Sequence, residues 1–460
     1  MIRVGVNYEG RDPRFVETVL PFADIVEVTP DALAILRNGV PIIPDGTMRE
    51  LRSIAARASI TLHGVGLSIA SADSMNEAYF SLTDALMNAL NVAWHSEHLG
   101  YVTVDGEHLG TMLVPPRTEE ALDLICSRVE TILRRYEKPF LLEHVVNLFP
   151  DPGGDYTIAG FLNQIVRRTG CALILDVYNL ECDIHNGMCT LDAFLGELDL
   201  AAVREIHVAC GIEDRGLRVD VHSRITRDTT LALLQGVLAI APNVEAVIFE
   251  ILGPAVPSVG HDAIAAELRR VRAAVQSGGL PLHIAGVSQP APALTTLPLR
   301  EHQRSMRDLI RGGAIAANPY ITAAAQSPGL EVTRDAIHSW RVFRLERNCR
   351  LTSAILCQRG GYDEVLAKVE QGPVSPFIEE MSDAFLSAAS AHADALVRSV
   401  AAFERAMLQD DGVERSVDWP CDPYAVLGPL IIGGEIPPLT TAPHRTIVSS
   451  GIQGMFRVVS

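Results

Sequence analysis

Through its first 285 or so residues the chain alternates short apolar runs of strand character with longer stretches of helical spacing. The strand candidates are Ile2–Tyr8, Asp24–Val28, Ile60–Val65, Val92–Leu99, Phe140–Val145, Ala172–Val177, Glu205–Val208 and Ala246–Ile251. Stretches such as "PPRTEEALDLICSRVETILRRYE" and "TLALLQGVLAIA" lie between them. Strands joined through helices pair in parallel, and eight such units in this length are the arithmetic of a (β/α)8 barrel. A doubly wound open sheet is the runner-up, weakened because no GxGxxG or GxxxxGK[ST] sequence follows the first strand. The expected fold class is α/β: a TIM-type barrel over residues 1–285, followed by a smaller, mainly helical domain.

The alternation stops at "GVSQPAPALTTLP" (286–298), whose three prolines and small residues read as an interdomain linker. Beyond it, "LREHQRSMRDLIRGG" and the long, alanine-rich "SPFIEEMSDAFLSAASAHADALVRSVAAFERAML" have helical periodicity. "GPLIIGGEIPPLTTAP" and "GIQGMFRVVS" read as short strands or extended segments. Residues 299–460 are thus expected to form a separate domain.

A net charge of −18 argues against nucleic acid as the main ligand, since phosphate binding needs a basic surface. No run of about 18 apolar residues offers a membrane span. The opening "MIRVGVNYEG" reads as a strand rather than a signal peptide, so a cytoplasmic location is expected. The eight cysteines show no CxxC pair and are expected to be reduced, mostly buried thiols.

The strand ends carry the chemistry. "LDVYNLECDIHNG" follows an apolar run with Asp176, Asn179, Asp183 and His185. Other strands end alike: His63 in "LHGVGLSI", Glu97 and His98 in "HSEHLGY", Glu143 and His144 in "LLEHVVN", His207 in "EIHVACG", Asp220 and His222 in "VDVHS", and Glu250 in "VIFEI". In a barrel these C-terminal ends converge on one face. His, Asp, Glu and one Asn form an N/O ligand set for borderline or hard divalent metals. Nine inward candidates exceed what one ion needs and suffice for two or three with bridging carboxylates. Without metal, so many ionisable groups in one cavity would repel and be desolvated at heavy cost.

Taken singly, each residue has a plainer explanation. A lone His63 is more often a satisfied interior histidine, Asp176 could cap the following helix, Glu250 could pair with an Arg, and Asp220–Val–His222 could be loop surface. Repetition over six strands outweighs these separate causes. His95, Glu97, His144 and Asp183 read as neighbours of better-placed candidates, and the cysteines as structural.

Together, "HGVGLSI", "SEHLGY", "LLEHVVN", "LDVYNLECDIHNG", "EIHVACG", "VDVH" and "IFEI" resemble the multinuclear non-heme iron-dependent oxidative enzymes (MNIO), the family of the methanobactin iron oxygenase. The resemblance implies iron ligands at His63, His98, Glu143, Asp176, Asn179, His207, Asp220, His222 and Glu250, the set already chosen on chemical grounds. It implies two or three irons in a mixed Fe(II)/Fe(III) cluster, with dioxygen as co-substrate. The substrate would be a ribosomally made precursor peptide, oxidised most often at cysteine, its thiolate on one iron. Glu143 is the expected bridging carboxylate, and Glu143, Asp220 and His222 the residues on which turnover depends. Two positions depart from the family: His144 stands where Asn is usual, and Tyr178 replaces the first Asn of "DVNN". Family members usually work with a separate peptide-holding partner protein. "REHQRSMRDLIRGG", "NPY" and "SWRVFRLERNCRLTSAIL" are similar to such partners, so a fused partner domain is expected here. The rival readings are a divalent-metal sugar isomerase or phosphodiesterase on a similar barrel, and an inactive peptide-binding scaffold.

Overall fold

The computed structural model describes residues 1–279, 282, 297–372, 374–409, 413–449 and 455–459. The expected linker lies outside these, but for its last two residues. The described residues form two compact units, Met1–Ala34 with Ile43–Arg334, and Ile35–Ile42 with Asp335–Ser460.

The first unit is a closed eight-stranded parallel barrel, which excludes the open sheet. Its strands are β1 (Arg3–Tyr8), β2 (Ile25–Val28), β3 (Ser59–Gly64), β4 (Val92–His98), β5 (Phe140–Glu143), β6 (Ala172–Asp176), β7 (Val203–Val208) and β8 (Ala246–Phe249). Each pairs with the next in sequence, and β8 closes on β1. Helices such as Glu77–Ala89, Glu119–Tyr136 and Ile158–Thr169 return the chain; Asn76, Thr118 and Thr157 cap them through side-chain oxygens.

Side chains alternate along a strand, so every second residue faces the barrel interior. Ile25, Trp94, Leu141, Ile174, Ala246 and Ile248 pack there as an apolar layer. Gly5 leaves room for it, since a Cβ there would lie 2.3 Å from the Ile25 carbonyl oxygen. Two residues further along the same strands, the inward positions are Glu27, Ser96, Glu143, Asp176 and Glu250. The interior therefore turns from apolar to ionisable within one pleat.

Two hairpins interrupt the strand–helix rhythm, Tyr101–Val104 with Glu107–Leu113 after β4, and Ile212–Asp214 with Leu217–Val219 after β7. The helices Leu299–Ile310 and Pro319–Ala325 also belong to the barrel unit, so the division between compact units falls beyond the expected linker.

The second unit is mainly helical around a core that includes Leu345, Phe385, Val400 and Trp419, with an antiparallel sheet of Glu414–Trp419, His444–Ser449 and Met455–Val459. The alanine-rich segment forms two helices, Ile378–Ala389 and Ala395–Leu408, because Asp394 caps the second through the Leu396 amide. "GPLII", expected to be extended, ends the helix Pro423–Ile432, which Asp422 caps and Gly433 closes in the left-handed region. Among the described residues no helix is long and apolar enough to cross a membrane.

Candidate metal centre

Seven of the nine expected residues sit at or just beyond a C-terminal strand end, and the register aligns them. His98 of β4 lies beside Glu143 of β5, and Asp176 of β6 beside His207 of β7. The structure brings all nine into one neighbourhood, linked by the contacts below.

The first group is His63, His98 and Glu143. Ser96 Oγ donates to the Leu62 carbonyl at 3.0 Å, so it accepts from His63 Nδ1 at 2.8 Å. His98 Nδ1 donates to the Gly64 carbonyl at 2.8 Å. These bonds fix both tautomers and turn both Nε2 atoms inward. There they stand 3.2 Å apart, with Glu143 Oε2 at 3.0 Å from His63 and 3.6 Å from His98. Burial, then His63, holds His98 down to about 3, so its ring is neutral and Nε2 is a bare lone pair. Three electron-rich atoms this close repel one another unless a proton or a shared cation lies between them.

Glu143 also belongs to a second group, with Asp176, His207 and Glu250. His207 Nδ1 lies 3.1 Å from Glu250 Oε2 and 3.7 Å from Glu143 Oε2. Asn179 Nδ2 donates to Glu143 Oε1 at 3.1 Å, which fixes the carboxylate with its other oxygen toward the histidines. Asp176 divides its oxygens: Oδ1 accepts from the amides of Tyr178 and Asn179, capping the helix Val177–His185, while Oδ2 has no hydrogen-bond partner. The capping explanation holds for this residue and still leaves one oxygen for the site.

Asp220 and His222 follow the second hairpin. His222 Nε2 is 2.5 Å from Asp220 Oδ1, 3.6 Å from Glu250 Oε2 and 4.0 Å from Asp176 Oδ2. His222 also has φ of +35°, a costly conformation for a non-glycine residue that positions its ring at the site. Loop surface does not describe this pair.

The donor set fits metal. Among the described residues, Glu143 Oε2, Asp176 Oδ2, Asn179 Oδ1, His207 Nδ1, Asp220 Oδ1, His222 Nε2 and Glu250 Oε2 are all buried and, apart from close approaches within the site such as His222 Nε2 to Asp220 Oδ1, have no hydrogen-bond partner. Native interiors tolerate few such atoms, and here seven come together. Protons compensate in the metal-free chain. Burial pushes Glu143 up to about 8 and Asp176 well above the carboxylate range. Burial works to lower His222, but Asp220 and Glu250 outweigh it and hold the ring well above its usual range.

The remaining candidates stand aside. His95 packs against Tyr136 and Phe140, and burial lowers it to about 3. Glu97 faces away from the site, bonds the His98 amide, and is raised well above its usual range by burial and then by Asp31. Asp183 accepts from the Asn147 amide, and exposed His185 lies 3.3 Å from the Gly216 carbonyl. His144 packs on Phe194, and Tyr178 is fully buried. Two interior residues were not among the expected set: Glu27 and Glu205, whose carboxylates face His207 Nε2 at 3.6 and 3.5 Å. Period-two alternation from His207 would have found Glu205.

Residues 9–276 match the sequence model of the family described as RiPP precursor modification enzyme MbnB/TglH/ChrH. The chain belongs to that family. It is therefore an enzyme of the class that modifies precursors of ribosomally synthesised, post-translationally modified peptides (RiPPs). Its relatives include UPF0276 proteins of Rhizorhabdus wittichii (29% identical over 201 residues, 43% of this chain and 71% of the relative) and Caulobacter vibrioides (28% over 221 residues, 48% and 76%). A third, from Chromobacterium violaceum, is 32% identical over 178 residues, 39% of this chain and 64% of the relative. Among solved structures, a xylose isomerase domain containing protein of Salmonella typhimurium is similar over 60% of this chain and 97% of that one, at 15% identity and a TM-score of 0.43.

Proposed function

We propose that this member of the family is an iron- and dioxygen-dependent oxidase of a ribosomally made precursor peptide, acting at cysteine. The convergence of seven buried ligand atoms with no hydrogen-bond partner outside the site supports the reading above all. Glu143 and Glu250 each belong to two of the candidate ligand groups, and Glu143 is the carboxylate that joins His63 and His98 to Asp176 and His207, which favours it as the one shared between ions. His63 and His98 would hold one ion with it, Asp176, His207 and Glu250 a second, and Asn179, Asp220 and His222 would complete the set. Bound iron would supply electrons and open positions for dioxygen and a substrate thiolate.

The chain's own part is to hold and to shield. Ser96 and the Gly64 carbonyl fix two imidazole tautomers, Asn179 fixes Glu143, and the burial of Glu143, Asp176 and His207 keeps water from the inner part of the site. Residues 299–460 would bind the leader segment of the peptide in place of a separate partner. Elemental analysis of protein prepared without oxygen should find two or three irons per chain. One zinc and no iron would instead favour a hydrolase or isomerase of the barrel class.

A further inference from the structure

Beneath the metal centre lies a carboxylate pair to which the proposed chemistry gives no role. Glu27 of β2 and Glu205 of β7 are both fully buried. Neither oxygen of Glu27 has a hydrogen-bond partner among the described residues. Glu205 is anchored: its Oε2 accepts from Trp94 Nε1, whose ring lies under the guanidinium groups of Arg3 and Arg204 at 4.7 and 5.1 Å. Its other oxygen is 3.5 Å from His207 Nε2, and Glu27 Oε2 is 3.6 Å from the same nitrogen. Both distances exceed a settled hydrogen bond, so the ring edge is held between two carboxylates rather than bonded to one. The opposite ring nitrogen, Nδ1, faces Glu250 and Glu143.

We propose that Glu27 and Glu205 are positioning residues that take the Nε2–H of His207 between them and so present Nδ1 to the metal centre as a strengthened donor. The inference rests on the metal reading of the site. A metal-bound histidine commonly gives its second N–H to a carboxylate, which fixes the ring and raises its basicity. Here the arrangement is doubled. It also works against stability, because a buried carboxylate without hydrogen bonds is worse than an apolar side chain of the same size.

The test uses the full chain, Fe(II) without oxygen, and a competing chelator. Glu27→Gln and Glu205→Gln should bind as many ions as wild type at saturation, with one ion held about 10- to 100-fold more weakly. Metal-free Glu27→Gln should melt no lower than wild type, so that metal affinity and stability move independently, which a purely structural residue would not allow. Unchanged affinity in both variants would overturn the proposal. So would saturation one ion short, since the glutamates would then be ligands themselves. A wild-type chain that binds no metal would instead overturn the reading on which this inference rests.

Discussion

Asp176 shows how one side chain serves both fold and site. Its Oδ1 caps a helix while its Oδ2 enters the cluster of ligand atoms. Asp176→Asn keeps the capping oxygen and turns an amide N–H toward the site. Its metal-free form should melt at or above the wild-type temperature, while metal titration should show at least one ion lost or greatly weakened. Intact metal binding would reduce Asp176 to a cap. Protonation gives a second test. Glu143 is raised from 4.5 to about 8, so the folded metal-free chain holds a proton that the unfolded chain releases above the lower value. Its contribution to stability is present at low pH and lost as pH rises toward about 8. Melting of the metal-free protein should therefore fall between about pH 5 and pH 8. Apparent metal affinity should rise over the same window, about tenfold per pH unit for each proton displaced. That the nine candidates converge was legible because most of them recur at strand ends with chemistry that no single local cause explains. Glu27 was not, since one Glu in "DIVEV" carries no sign that it faces a buried histidine from a distant strand.

At the scale of elements, eight strands and their order were readable because alternation with helices leaves a parallel ring few alternatives. Features set by capping were less so. The alanine-rich stretch has continuous helical periodicity, yet it breaks where Asp394 can satisfy a new helix start, and periodicity does not register a cap. A cap supplied from another helix is harder still to foresee. Cys349 offers no side-chain cap to the helix Arg350–Arg359. Glu404, from the helix Ala395–Leu408, supplies one instead, accepting from the amides of Leu351 and Thr352 at 2.8 Å each. The carboxylate is buried, and its removal leaves two helix N–H groups unsatisfied. Glu404→Ala should cost roughly 3 kcal/mol, from two charge-assisted hydrogen bonds of about 1.5 kcal/mol each. Denaturant unfolding followed in the C-terminal unit would measure it, and a loss under about 1 kcal/mol would mean that water replaces the cap.

For the whole molecule, the composition change near residue 298 marks where the strand–helix rhythm ends, but compactness is set by contacts that composition does not carry. The helix Leu299–Ile310 is tied to the barrel unit by a row of arginines. Arg304 bonds Asp105 at 2.7 and 2.8 Å, Arg307 bonds Asp105 at 2.9 Å, Arg300 bonds Asp73 at 3.1 Å, and Arg311 bonds Glu107. The Leu299 amide adds a bond to Glu120 at 2.9 Å. A chain cut at residue 298 would lose this helix from the barrel unit, so peptide binding is better tested on the intact protein. A candidate precursor peptide carrying a photo-reactive group in its leader segment, irradiated with the full chain, should cross-link within residues 299–460. The same group placed beside the modifiable cysteine should cross-link near His63, Asp220 or His222. With both segments of the peptide held by one chain in this way, leader binding would raise the effective concentration of the cysteine at the site without any new contact there. Leader cross-links confined to residues 1–285 would remove the partner role from the C-terminal region and leave peptide recognition to the barrel.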